Sequence, residues 1–331
     1  MRFRSKRVLV TGGAGFVGSN LVRKLYEEGA DITVLDNLFT GNLSFTGHRA
    51  KFTKGSVVNY NLIADLVKDA DIVFHLAARN IIASTKYPVE DFKVNAGGML
   101  HILIAAKAYG IERVIYTSSA SVYGNPRYLP INEDDPLTTL NPYAASKLSA
   151  EHYCMAFYES YNVPVTILRY SNIYGTNQSP SNPYCGVIAK FFDAVLNDKP
   201  LRIHGDGEQT RDFTYVDDAV EATLLAALSP KAVGEVFNVA TGKETSVNQL
   251  SILISSIHDA TQDPEYIDRR DIDNLRRRVL NIEKIRRNLR WIHETSLYNG
   301  FSKTYKWILS KKQEGIPREE TGFGYYVKKD K

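Results

Sequence analysis

Tyr143 and Lys147, in the run Asn141-Pro142-Tyr143-Ala144-Ala145-Ser146-Lys147, are the residues of this 331-residue chain whose types and spacing point most directly to chemistry. Four residues apart on a helix, they share one face, so the ammonium can approach the phenol. A phenol with a reference pKa of about 10 is a poor base at neutral pH, and a neighbouring cation stabilises its phenolate. Such a pair can exchange a proton with a substrate hydroxyl. The spacing alone says little, because Tyr-x-x-x-Lys is common on solvated helix faces. Ser119 adds to it. It follows the apolar run Arg113-Val114-Ile115-Tyr116 and precedes a turn, so its hydroxyl can bond both the phenol and a substrate hydroxyl.

The elements that must position these groups begin with Val8-Leu9-Val10, a β-branched run that reads as a buried parallel strand. Thr11-Gly12-Gly13-Ala14-Gly15-Phe16-Val17-Gly18 follows and opens a helix holding Leu21, Val22 and Leu25. Glycines at 12 (or 13), 15 and 18 permit a tight turn and a close approach of backbone to a pyrophosphate, with the helix N-terminus supplying amide donors. A second strand, Asp31-Ile32-Thr33-Val34-Leu35, ends at Asp36, 18 residues beyond Gly18. An acid there accepts hydrogen bonds from a ribose and repels a 2′-phosphate, favouring NAD over NADP. Further apolar runs at 71–74, 113–116 and 165–168 alternate with helical patterns, which predicts an α/β fold with a doubly wound parallel sheet. Asp36, Ala77, Ser118, Ser119 and Tyr170 all follow strand ends, where such sheets bind ligands. From residue 171 the pattern breaks up, with Pro180, Pro183, a helix near 186–197 and the short run Leu201-Arg202-Ile203-His204, which predicts a smaller lobe over the crevice.

These residues resemble the extended short-chain dehydrogenase/reductases, and most of all the nucleotide-sugar epimerases that interconvert UDP-glucose and UDP-galactose. The likeness runs in order over roughly residues 7 to 310. It takes in Thr11–Gly18, Asp36-Asn37-Leu38, His75-Leu76-Ala77-Ala78, Asn95, Ser118–Gly124, Tyr143 with Lys147 and Leu168-Arg169-Tyr170-Ser171-Asn172. Gly205-Asp206-Gly207, Arg211-Asp212-Phe213 and Val216-Asp217-Asp218 complete it. The resemblance implies Tyr143 as base, Lys147 as phenolate stabiliser and nicotinamide-ribose ligand, and Ser119 as their partner. It implies NAD held by Gly12, Gly15, Phe16, Val17, Gly18, Asp36 and Asn37, by Ser56 and Val57, by Leu76, Ala77, Ala78 and Asn95, and by Tyr143, Lys147 and Tyr170. For the nucleotide-diphosphate sugar it implies Ser119, Asn172, Val187, His204 at the base, Arg211 and Arg276. The Rossmann domain becomes 1–170 plus about 212–243, the substrate lobe 171–211 plus about 244–315, and 316–331 a tail. A homodimer is implied through helices at about 89–109 and 143–161, where Met99, Leu100, Leu103, Ile104, Met155, Phe157 and Tyr158 offer apolar surface.

Two positions narrow the reaction. The sugar-nucleotide dehydratases of this superfamily carry Asp and Glu after the catalytic hydroxyl, whereas this chain has Ala120 and Ser121. Without those acids the expected chemistry is hydride removal and return: epimerisation at C4 of a UDP-glucose, UDP-galactose or UDP-glucuronate type of sugar. The alternatives are a ketoreductase, an epimerase acting at another carbon or on a CDP- or dTDP-sugar, and, further off, a dinucleotide-binding protein without catalysis. Residues 269–290 carry nine Lys or Arg against three Asp or Glu, and arginine suits bidentate contact with a diphosphate. One of Arg276, Arg277 and Arg278 is expected to face the ligand. Arg278 stands where the family admits N-acetylated sugars with a small residue, and its bulk argues against them.

Composition agrees. Apolar residues make up 44% of the chain, enough for a proper core. There is no run of membrane-spanning length and no signal-peptide pattern. Two cysteines, Cys154 and Cys185, make no disulfide framework, so a cytoplasmic location is expected. A net charge of +4 without aromatic interleaving of the basic run is no nucleic-acid signature, and no metal site is assigned.

Overall fold

The computed structural model describes residues 1–313 apart from 181, 183–184, 259–261 and 270–274. The expected tail at 316–331, together with Pro183 and Arg270, lies outside the described residues. Seven parallel strands form the central sheet: β1 (Arg7–Thr11), β2 (Asp31–Asp36), β3 (Lys51–Lys54), β4 (Ile72–His75), β5 (Arg113–Ser119), β6 (Val165–Tyr170) and β7 (Val236–Val239). Their order is β7-β6-β5-β4-β1-β2-β3, so the chain reverses direction across the sheet between β1 and β4. Every residue of β4 and β6 is buried, as a sheet covered by helices on both faces requires. Alternation divides β1 between two cores. Val8 and Val10 pack with Leu21, Val22 and Leu25 of the helix Phe16–Glu27, while Leu9 faces Leu35, Met99 and Leu103.

Beyond β6 the strands are short and pair away from the main sheet. Asn172–Tyr174 lies beside Phe213–Tyr215, Arg202–His204 beside Glu265–Ile267, and Thr210–Arg211 antiparallel to Thr245–Ser246. The helix expected near 186–197 is Val187–Val195. After the helix Val216–Leu228 the chain returns to the main sheet, where β7 pairs with β6.

A buried ion pair ties the sheet to the helix Pro142–Tyr161. Arg169 of β6 meets Glu151 at 2.7 Å, with side chains only 5% and 4% exposed. Ser118 Oγ donates to the same carboxylate at 2.5 Å, and Arg169 Nη1 donates to Tyr123 Oη at 2.9 Å and the Glu133 carbonyl at 2.8 Å.

Of the surface offered for a bundle, Met99 and Leu103 are wholly buried in the subunit's own core. Met155 and Phe157 also pack on that core, and the Tyr158 ring abuts Gly234. Val89 (65% exposed), Phe92 (58%), Tyr153 (40%) and Ile104 (38%) are left to solvent by these helices, as are Tyr109 and Tyr161 at their C-terminal ends.

Removing one partner of a buried pair strands the other charge, at a cost of about 3–5 kcal/mol. Arg169→Leu is therefore expected to lower the free energy of unfolding by about that amount. Urea melts of the two proteins check this, and a loss below about 1 kcal/mol would show that the pair does not lock helix to sheet.

Candidate active site

The glycine loop is shaped by close approach. Gly12 has φ +73°, and a Cβ there would lie 2.6 Å from Ala77 N; a Cβ on Gly18 would run into the Gly12 carbonyl. The first turn of the helix Phe16–Glu27 carries no acidic residue, so its amide donors are left for an anion. At the end of β2, Asp36 accepts from Ala14 N at 3.0 Å and Leu38 N at 2.8 Å. Burial raises its pKa, while those backbone donors act in the opposite direction.

One cavity collects most of the expected cofactor residues: Gly12, Gly15, Asp36 and Asn37 at one side, Ser56 and Val57 at another, and Leu76 to Ala78 after β4. Sequence reasoning missed Phe39, Thr40 and Arg79 on its rim, where the Arg79 guanidinium lies 3.5 Å from the Phe39 ring centroid. Phe16 and Val17 instead turn their side chains to the core. Asn95 is 1% exposed and lies beneath the cavity: its Oδ1 accepts from Arg79 N at 2.8 Å, and its Nδ2 donates to Arg79 O, Asp91 and Ser146. Tyr170 is also turned inward, its hydroxyl 2.6 Å from Thr223 Oγ1. The tertiary partners that hold these two side chains are remote in sequence.

The residues expected to be catalytic lie around the end of β5. Asn141 caps the helix Pro142–Tyr161 by accepting from Ala144 N at 2.9 Å, with Pro142 at the first helical position, so the phenol stands in the first turn. Ser119 Oγ accepts from Ser121 N and donates to Ser121 Oγ, both at 3.2 Å, and its hydroxyl favours the ionised form of the Tyr143 phenol. Burial pushes the phenol up to about 12, against the Ser119 hydroxyl and the positive charge of Arg278. The expected ammonium–phenol contact is not formed. Lys147 Nζ donates to the Thr117 carbonyl at 2.8 Å and lies 4.9 Å from the Tyr116 ring centroid, and burial pulls it down to about 8. His75 is its neutral neighbour, with Nδ1 2.7 Å from Thr11 Oγ1 and burial lowering its pKa to about 3.

A second cleft brings together all five remaining residues assigned to the substrate: Asn172, Val187, His204, Arg211 and Arg276. Arg211 is 9% exposed and donates from Nη1 to Leu275 O and Thr210 O, both at 2.8 Å. Arg276 pairs with Asp206 at 2.7 Å on the same wall, Arg277 pairs with Glu244, and Arg278 is 6% exposed. Arg202 and Arg269 line the cleft too, unforeseen because they converge only in the fold. Arg286 and Arg287 form pairs with Glu283 on a solvated helix face. Among the described residues no helix is long and apolar enough to cross a membrane.

A glycine cradle at the switch point, an acid closing the second strand and a Ser-Tyr-Lys centre beside a basic cleft define a dinucleotide-dependent enzyme class. The chain belongs to the NAD dependent epimerase/dehydratase family, whose model matches residues 8–240, and is an extended short-chain dehydrogenase/reductase of the nucleotide-sugar epimerase type. It is similar to a putative UDP-glucose 4-epimerase of Methanocaldococcus jannaschii, at 39% identity over 91% of this chain and 98% of that protein. It is also similar to a UDP-N-acetyl-alpha-D-glucosaminuronate decarboxylase of Bacillus cytotoxicus, at 34% identity over 92% of this chain and 98% of that protein. Among solved structures it resembles the UDP-glucose 4-epimerase of Thermotoga maritima with UDP-glucose, with TM-score 0.89, 35% identity and coverage of 92% and 99%. NAD is the cofactor.

Tyr143→Phe keeps the ring and removes the proton carrier. Turnover of a nucleotide sugar is expected to fall by about 10²–10⁴-fold with NAD still bound; near-normal turnover would show that another group moves the proton.

Proposed function

We propose that the protein is an NAD-dependent 4-epimerase of a nucleotide-diphosphate hexose of the UDP-glucose, UDP-galactose or UDP-glucuronate type. The observation that carries this reading is the placing of Ser119, at the end of β5, with the first helical turn that bears Tyr143, followed by Ala120 and Ser121, a centre equipped to move one proton and lacking an acid for elimination. The residues present fit the cofactor: only glycine at 12 admits the backbone at Ala77, and Asp36 closes the ribose end. Bound there, NAD supplies reversible hydride acceptance at the sugar carbon, so that a transient 4-keto sugar forms. Ser119 orients the C4 hydroxyl and Tyr143 takes its proton. Asn172, Arg211 and Arg276 hold the nucleotide diphosphate at the far end of the cleft. Binding energy is thus spent on the part of the molecule that does not react, which leaves the keto sugar free to present its other face. Tyr143 then returns the proton to the new C4 oxygen.

The ketoreductase alternative uses the same three residues and differs in stoichiometry. Incubated with UDP-galactose in deuterated water and no added cofactor, the protein is expected to give a mixture of C4 epimers by proton NMR, with no deuterium on the sugar carbons. Turnover that requires stoichiometric reduced cofactor would overturn epimerisation, and a 6-deoxy-4-keto product would indicate elimination.

Two further parts of the reading concern organisation. Residues 1–170 with about 212–243 act as the cofactor lobe, and 171–211 with about 244–315 as the substrate lobe. The exposed Val89, Phe92, Ile104 and Tyr153 form the face on which two copies pair. Light scattering at micromolar concentration should give twice the 37.2 kDa chain mass, and Phe92→Glu should shift it toward one; a monomeric parent protein would exclude the pairing.

A further inference from the structure

The catalytic helix is packed against a carboxylate that the chemistry above leaves unused. Asp91 lies in the short helix Pro88–Phe92 and is 1% exposed. It immediately precedes a π turn, Lys93–Gly97, which carries Asn95. Turns of this kind interrupt helices mostly where a side chain must be re-aimed. Here the turn aims Asn95 Nδ2 at both Asp91 Oδ1, at 2.5 Å, and Ser146 Oγ, at 3.0 Å. Ser84 Oγ donates to the same Asp91 oxygen at 2.5 Å. Ser146 in turn donates to the Tyr143 carbonyl at 3.0 Å and is the residue before Lys147. Asp91 is thus one amide away from the turn of helix that bears the phenol and the ammonium.

Burial raises the pKa of Asp91, and the groups around it oppose that by favouring the ionised carboxylate, which accepts and does not donate. Ser84 and Asn95 both point donors at it, and the Ser146 hydroxyl adds a contact that favours the charged form. The cation that acts on it is Lys147. Lys147 is 3% exposed and donates to a neutral carbonyl, so its charge must be balanced by something other than water. Glu151, one turn along the same helix, is already engaged by Arg169 and Ser118. The other groups facing Lys147 bring no negative charge at neutral pH. Burial keeps the Cys154 thiol and the Tyr116 phenol protonated, the Tyr143 phenol is pushed up to about 12, and His75 is neutral.

We propose that Asp91 is a positioning residue of the active site: the fixed counter-ion that keeps the buried Lys147 protonated, held in place by Ser84 and the Asn95 turn. It touches neither substrate nor cofactor and acts through Lys147. The proposal rests on the reading of Tyr143 and Lys147 as the proton-exchanging pair. The sign follows directly. Burial depresses Lys147 and Asp91 is the largest influence raising it, so losing the carboxylate must lower it further. Activity that needs the ammonium then fails at a lower pH on the alkaline side.

The test uses the full chain with its NAD bound, labelled with ¹³C/¹⁵N-lysine, and the Lys147 signal assigned by its loss in Lys147→Arg. In the parent protein Lys147 is expected to titrate near 8. Asp91→Asn keeps the shape and should move that titration down by about one pH unit or more, with the alkaline limb of the pH–rate profile moving equally. Ser84→Ala loosens the same carboxylate without removing its charge and should leave the midpoint close to that of the parent. The reciprocal measurement follows the Asp91 carboxyl by ¹³C NMR in Lys147→Met, where its titration should move upward, because coupling between two sites is mutual. A Lys147 midpoint unmoved in Asp91→Asn, an equal shift in Ser84→Ala, or an Asp91 carboxyl indifferent to Lys147→Met would overturn the proposal. So would a uniform loss of rate across pH with an unshifted limb, the mark of a merely structural part. If the parent protein epimerises no nucleotide hexose, the functional reading falls, and the two NMR titrations still decide whether Asp91 and Lys147 are coupled.

Discussion

The Arg169–Glu151 pair is the constraint on which the active site depends, because it fixes a helix against two strands by charges that have nowhere else to go. Taking two ions out of water costs several kcal/mol each, and the pair is tolerated only because every lone pair and proton around it is used. Ser118 completes the carboxylate, while Tyr123 and the Glu133 carbonyl complete the guanidinium. Tyr123 in turn donates to Asn238 of β7 at 2.6 Å, which extends the lock across the sheet edge. The strand's end and the helix's period convert this lock into the geometry of the site. Ser119 is the last residue of β5, one beyond the Ser118 that meets Glu151, so anchoring the strand to the helix also fixes the strand end near the turn that bears Tyr143. Residues four apart on a helix share a face, so placing Glu151 on the sheet places Lys147 and Tyr143 in line above it.

Charge is then distributed along the crevice in a way that separates holding from reacting. The dinucleotide end offers amide donors and one acid, Asp36, and the far cleft offers Arg202, Arg211, Arg269 and Arg276. Asp206 against Arg269 and Arg276, and Glu265 against Arg202, offset part of that charge, and the remaining excess of cations favours an anion in the cleft. Between them the ionisable groups are buried and their values displaced, the phenol upward and the ammonium downward. The ammonium's displacement brings it toward neutral pH while the phenol's takes it further away, so proton exchange by Tyr143 requires a cation that favours its phenolate.

The sheet was legible because its signals are local. β-branched runs, glycines and strand-end acids announce themselves within a few residues, and β2, β5 and β6 extend only one to three residues beyond the predicted runs. The cradle at Gly12 and the cap at Asn141 are local in the same sense. What could not be read depends on partners far along the chain. The Asn95 amide bonds Arg79, Asp91 and Ser146, the last 51 residues away, and nothing local announces them. The Tyr170 hydroxyl likewise meets Thr223, 53 residues on. The phenol–ammonium contact failed for a subtler reason. Sharing a helix face brings two side chains near each other, and the Thr117 carbonyl, on a strand that periodicity says nothing about, took the ammonium instead.

The absence of an acid after Ser119 also turns out to be more than a matter of which residues are missing. Ala120 is 2% exposed and belongs to an apolar cluster with Val122, Tyr123, Ile131 and Leu280. That cluster is pinned from outside: Ile131 N donates to Val279 O at 2.9 Å, Asn281 N donates to Ile131 O at 2.7 Å, and Asp212 accepts from Leu280 N and Gly242 N. An ionised carboxylate introduced at 120 would leave water for hydrocarbon neighbours, at a cost that pKa adjustment would evade by neutralising it. A neutral acid so placed could donate a proton but could not serve as a base, and the packing around it is the same packing that holds the segment 279–281 beside the turn after β5. A base at 120 would therefore require rebuilding the contact between that turn and the second cleft.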